Sequence, residues 1–239
     1  MKQRRKPAAA RKPHYFPAEN VVERWDARHL AGHTEFDEYR FVNCDFSGAN
    51  LSNLRFSECL FERCNLSSAG LAGTALQNVA FEECKLLGLQ FTACRDMLFG
   101  VHFDQCQMRY ASFAGRKMPA TRFVRCSLDE ADFADADLSA AVFEDCSLAG
   151  AVFQKTLLVG ADFTSATGFT IDPESNQPAE RPLHAAGPAG RGGQIWAGGG
   201  VAAARMAHEI RAQVTEDNLL RSGQNKIFLF QPVRYRCGK

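Results

Sequence analysis

A chain of 239 residues sets 28 Lys and Arg against 27 Asp and Glu, a balance that excludes a protein coating nucleic acid through its overall charge. Mean hydropathy is −0.25, and no apolar run approaches the ~20 residues of a membrane-spanning helix. The composition is anomalous in two respects: 19 Phe against 4 Tyr and 2 Trp, and 9 Cys, which without an apolar leader are expected to be reduced thiols of a cytoplasmic protein rather than a disulfide scaffold.

Residues 1–17 are basic and rich in Pro and Ala, without the apolar stretch of a secretory signal, and read as a disordered tail. Residues 18–33 carry Val21, Val22, Trp25 and Leu30 and are expected to form an N-terminal cap, a short helix or an irregular strand.

From residue 34 to 166 the chain has a period of five. A Phe, Leu or Met stands at every fifth position from Phe36 to Phe91, and again from Leu98 to Phe163. Neither a helix nor an alternating strand has this period. The residue two positions before each large one is mostly small, as at Ala49, Thr74, Ala131 and Thr156, or a Cys. A longer period of 20 overlies the short one. Phe41, Phe61, Phe81, Phe103, Phe123, Phe143 and Phe163 form one column, and Cys44, Cys64, Cys84, Cys106, Cys126 and Cys146 a second. Both columns contain the same single step of 22, so a two-residue insertion is expected between 91 and 98. Together these columns are the expected structural core.

Ala49-Asn50-Leu51, Ala131-Asp132-Phe133, Ala136-Asp137-Leu138 and Ala161-Asp162-Phe163 repeat one motif: small residue, Asp or Asn, then Leu or Phe. This pattern resembles the pentapeptide-repeat family. The segment 41–51, with 84–89 and 171–174, resembles one bacterial subgroup of it. The resemblance implies an all-β fold, a right-handed quadrilateral β-helix with four pentapeptides per coil. Six to seven coils stacked at ~4.8 Å would make a rod about 30 Å tall. It also implies a binding or structural role, and some relatives, of the quinolone-resistance type, are acidic DNA mimics that bind DNA gyrase.

No catalytic constellation emerges. His102 is the one His within the repeats, Glu82-Glu83 and Glu144-Asp145 fall on outward positions, and residues 190–200 are Gly-rich without a phosphate-loop signature. A straight ladder of Cys cannot wrap a metal tetrahedrally, and no CxxC is present. The expectation is therefore no enzyme, no cofactor and no metal, with the Cys serving as packing.

Charge is unevenly distributed: −7 over residues 34–166, +5 before them and +3 after. Glu62, Glu82, Asp104 and Glu144 line the outside of the Phe41 column, where Arg40, Arg63, Arg122 and Arg125 dilute them. This is the candidate partner-binding face. The expected function is a non-enzymatic protein-binding or structural scaffold with an unknown protein partner, and the alternative is a gyrase-binding DNA mimic. No membrane contact and no direct nucleic-acid binding by the solenoid are expected. The opposite wall, with Gly70, Ala72, Gly73, Ala93, Ala114 and Gly115, is smooth enough for self-association, and a homodimer through it is a further expectation.

Residues 167–239 are a C-terminal segment rich in Gly, Ala and Pro in which the family resemblance stops after Asn176. Either they form an atypical tail with an amphipathic helix at 201–221, through Met206, Ile210 and Val214, or a reading-frame slip near Gln177 has replaced the native ending. The nucleotide sequence separates the two.

Overall fold

The structure is a computed structural model and describes residues 20–172, 175–176 and 194–195. Among these the regular elements are short parallel strands, with no α-helix. β3 (Tyr39–Val42), β5 (Leu60–Glu62), β7 (Val79–Glu82), β8 (Val101–Asp104), β9 (Arg122–Val124) and β10 (Val142–Glu144) pair side by side in one sheet. Phe41 stands opposite Phe61, Phe61 opposite Phe81, Phe81 opposite Phe103, Phe103 opposite Phe123, and Phe123 opposite Phe143. The period of 20 is thus the register of this sheet, and its step of 22 falls between β7 and β8.

Three further ladders complete the four sides. β2 (Glu35–Asp37), β4 (Arg55–Ser57) and β6 (Ala75–Gln77) form the second sheet. Single-residue bridges run from Asp45 through Asn65, Lys85, Gln107, Ser127 and Ser147 to Thr167 on the third side. On the fourth they link Asn50 to Gly70, and Gln90 through Ser112 and Asp132 to Val152. The result is an all-β solenoid of about six turns.

Between sides the chain must turn sharply, and the second residue after most of the large core residues takes a positive φ. Asn43 has φ 52°, Glu58 51°, Asn78 50° and Gly48 61°. Most of these corner residues are not Gly, and each accepts the cost of the left-handed region so that coils can close. Gly168, φ 75°, is more constrained, because a Cβ there would meet the backbone N of Ala149 at 3.0 Å.

The interior explains the Phe count. The Phe41 column stacks on itself, with centroids 4.6 Å apart for Phe41 and Phe61 and 4.8 Å for Phe123 and Phe143. Phe91, Phe113, Phe133 and Phe153 stack likewise on the opposite side, Phe91 on Phe113 at 4.6 Å. The two columns meet edge to face, Phe113 against Phe123 at 5.9 Å and 81°, the geometry that the ring quadrupole favours. Leu and Met, such as Leu86, Met108 and Leu138, fill the other two sides and are fully buried.

All eight described Cys are free and buried. They pack, as expected, and they also donate. The thiols of Cys64, Cys84, Cys106 and Cys146 point to the carbonyls of Phe41, Phe61, Phe81 and Phe123 in the preceding coil, at 3.3, 3.2, 3.3 and 3.4 Å. Thr74 and Thr156 occupy the same slot and donate to Leu51 and Phe133 at 2.8 and 2.9 Å. The side-chain amide of Asn176 does the same to Phe153 at 2.8 Å, which extends the pattern into the last described turn.

At the start, β1 (Asn20–Glu23) joins the Phe41 sheet in parallel beside β3, and a single 3-10 turn at Ala27–Leu30 follows. Trp25 lies edge-on over Phe36 and Phe41, at 6.5 and 6.3 Å. At the other end β11 (Thr170–Ile171) pairs with β12 (Gln194–Ile195). The tail at 1–17, the start of the cap and the helix expected at 201–221 lie outside the described residues.

One core assignment is corrected. Leu98 does not point inward: it is 66% exposed, with φ 60°. Arg95 N still bonds Thr74 O in the ordinary register, and the shifted register begins where Val79 N bonds Gly100 O. The two extra residues therefore sit between Arg95 and Gly100, where the chain leaves the wall and carries Met97 and Leu98 into solvent.

Candidate partner-binding face

Alternation along β5, β7, β8 and β10 turns the residue after each Phe outward. Glu62, Glu82 and Asp104 are consecutive rungs of one ladder, and Val124 and Glu144 continue it. Like charges on adjacent strands repel, and the sequence answers with arginines. Arg40, one strand before Glu62, bonds it through Nε at 2.9 Å, and Arg63 pairs with the same carboxylate. Arg125 grips both oxygens of Asp104 at 2.7 and 2.8 Å, and Arg122 reaches Glu144 at 3.0 Å.

The four acids proposed from sequence are therefore brought onto one face, in unequal states. Glu62 is buried, not solvent-facing. Burial works to raise its pKa, but Arg40 and Arg63 outweigh it and hold the carboxyl below its ordinary range. Glu82 makes no ion pair among the described residues. Burial raises its pKa first, and Glu62 and Asp104 on either side raise it further. The face alternates sign at close range and leaves Glu82 as its least compensated carboxylate.

Sequence reasoning missed Arg116. It stands in the slot filled elsewhere mostly by Cys, Thr or Ala, and otherwise by apolar residues such as Leu54, Val79, Leu89 and Val101, and is 3% exposed. Its guanidinium donates to the carbonyls of Cys94 and Arg95 at 2.9 and 2.8 Å, pairs with Asp96 at 2.6 Å and lies 4.1 Å from the Phe99 ring centroid. It pins the two-residue insertion from within. The available signal was a charged residue in a small-residue slot one coil after the step of 22.

Among the described residues no group of His, Cys, Asp or Glu is arranged to hold a metal ion, and no helix is long and apolar enough to cross a membrane.

The repeat is also matched directly. A family model described as a pentapeptide repeat region matches residues 34–113 and 59–133, and one for pentapeptide repeats in eight copies matches 126–164. The chain belongs to the pentapeptide-repeat family. No curated protein matches it. Similar solved structures include a trypsin-treated variant of QnrB1, a plasmid-mediated fluoroquinolone resistance protein, at 17% identity over 80% of this chain and 96% of that one, TM-score 0.38. HetL, involved in heterocyst differentiation regulation in Nostoc sp. strain PCC 7120, is 17% identical over 62% of this chain and 81% of its own, TM-score 0.35. A pentapeptide repeat protein of the Arabidopsis thaliana thylakoid lumen is 22% identical over 53% of this chain and 63% of its own, TM-score 0.21.

Proposed function

We propose that this pentapeptide-repeat protein is a non-enzymatic scaffold that binds a protein partner through its Phe-column face. The observation that carries the reading is the in-register ladder from Glu62 to Glu144, where acids and their arginines are held at strand spacing on a rigid wall. Such a surface recognises a partner by charge complementarity and sets encounter rate and register more than raw affinity. The test uses the tagged full chain in cells of its source, comparing a Glu82→Lys/Asp104→Lys/Glu144→Lys variant with an Ala72→Glu/Ala114→Glu variant of the opposite wall. The reading expects a specific partner lost by the first and kept by the second. A partner retained by both, or lost only by the second, contradicts it.

The net charge of −7 over residues 34–166 favours a second reading, a DNA mimic in the basic saddle of a type II topoisomerase. Its arginines oppose a one-signed stripe. A gyrase supercoiling assay decides it: inhibition, or protection from quinolone, supports mimicry, and neither effect at excess protein removes it.

A further inference from the structure

The side of the rod that carries the insertion shows two apolar places to solvent, separated by two polar coils. Met97 and Leu98 stand clear of the wall, 79% and 66% exposed, and Val159, three coils further on, is 41% exposed beside half-buried Leu157. The protrusion is pinned at its base by Arg116, which bonds the carbonyls of Cys94 and Arg95 and lies against Phe99. Its apolar tip is therefore preorganised for contact. Between the two places lie Lys117, Pro119 and Ala120 on one coil and Asp137, Ser139 and Ala140 on the next, with Lys117, Asp137 and Leu157 on successive rungs. Lys117 and Asp137 are opposite charges on adjacent rungs, yet neither forms an ion pair among the described residues. Asp137 instead accepts from the backbone N and the hydroxyl of Ser139, at 3.0 and 2.6 Å.

We propose that this wall binds a second copy of the chain, antiparallel, about a two-fold axis that runs along the strand direction midway between the levels of Lys117 and Asp137. Such an axis keeps each outward column opposite itself and inverts the order of the coils, as a self-complementary contact requires. Lys117 then faces Asp137 of the second copy, and Asp137 faces its Lys117. The same operation sets the Met97–Leu98 tip against Leu157 and Val159 of the second copy, and the reverse. One axis therefore matches both the charges and the apolar places. Pro119, Ala120, Ser139 and Ala140 project little and let the walls approach. Moving the axis half a coil to either side sets Lys117 on Lys117 or Asp137 on Asp137, and like charges across an interface repel. The contact spans four coils, about 14 Å along the rod. That is below the size of a permanent interface, so the dimer is reversible and concentration-dependent. It lies on a different side of the rod from the Phe-column face and does not depend on the partner reading.

The experiment is sedimentation equilibrium of the full chain over a range of concentrations, with charge swaps at these outward positions. Expected is a monomer–dimer equilibrium whose dissociation constant rises about tenfold or more in Lys117→Asp and in Asp137→Lys, each of which sets like charges across the axis. Met97→Glu, which places a charge at the apolar tip, should weaken the dimer as well. An equimolar mixture of Lys117→Asp with Asp137→Lys should restore association, because both cross-pairs are again opposite in sign. The double variant Lys117→Asp/Asp137→Lys should restore it too, and either rescue shows that the single variants are folded. The proposal is overturned if the chain stays monomeric up to about 1 mM. It is equally overturned if a dimer forms that is indifferent to the swaps, as one through the smooth wall would be, or if the mixture fails to recover what the single swaps lose.

Discussion

A thiol in the small slot takes the part of a threonine hydroxyl. Cys64 and Thr74 each donate to the carbonyl of the large residue 23 positions earlier, and Asn176 donates from its amide in the same way. Position and size were legible in the sequence, but the donor role was not, because the direction of a carbonyl belongs to the closed coil. Thr156→Val, which removes the donor at little change in volume, should lower unfolding stability by about 1–2 kcal/mol in urea titration, whereas Thr156→Ser should cost less. Protonation follows the same geometry. Burial pushes the thiols of Cys59 and Cys94 up to about 12 from 9.0. A folded value above the unfolded one means that their contribution is intact below about pH 9 and lost as pH rises toward 12. Denaturation midpoints measured across that window should fall, and Cys59→Ala/Cys94→Ala should flatten the fall. The acids separate by the same kind of argument. Glu62→Gln leaves Arg40 and Arg63 facing a neutral amide and should destabilise by about 1–3 kcal/mol. Glu82→Gln removes a repelling charge and should be neutral or stabilising by up to about 1 kcal/mol at pH 7. Equal effects at the two positions would contradict the unequal pairing.

At the scale of the element, the insertion shows what periodicity can and cannot locate. The step of 22 revealed that two residues were added, and the column of Phe81 and Phe103 carries it unchanged into β7 and β8. Counting back in fives from Phe103 placed Leu98 in the core, whereas the hydrogen bonds of Arg95 and Gly100 put it on the bulge. No count of apolar residues could find the device that holds the bulge, since it is a buried cation. Arg116→Ala leaves the carbonyls of Cys94 and Arg95 without their donor, Asp96 being exposed and able to return to water, and should cost about 1–3 kcal/mol. Arg116→Met, which refills the slot without a charge, should recover part of that, as read from thermal unfolding. Gly168→Ala should destabilise by about 1–3 kcal/mol, because φ 75° and the backbone of Ala149 at 3.0 Å both oppose a Cβ.

For the whole molecule, the fold was legible because a solenoid writes its register into the chain: residues 20 apart are neighbours, so two residue types suffice to reveal the coil. The character of the Phe-column face was only half legible. That Glu62, Glu82, Asp104 and Glu144 share a wall follows from the period, but which arginine neutralises which acid depends on side-chain reach across strands, as from Arg125 to Asp104. On the smooth wall opposite, Ala72→Glu/Ala114→Glu should lower the sedimentation coefficient by disrupting self-association there, and an unchanged profile removes that role. The account as a whole turns on recognition by charge on the Phe-column face. Its most direct test is the affinity of the captured partner for the full chain, measured by calorimetry from about 50 to about 300 mM salt, beside the Glu82→Lys/Asp104→Lys/Glu144→Lys variant. The account predicts binding weakened about tenfold or more by salt and by the variant; an affinity indifferent to both would contradict it.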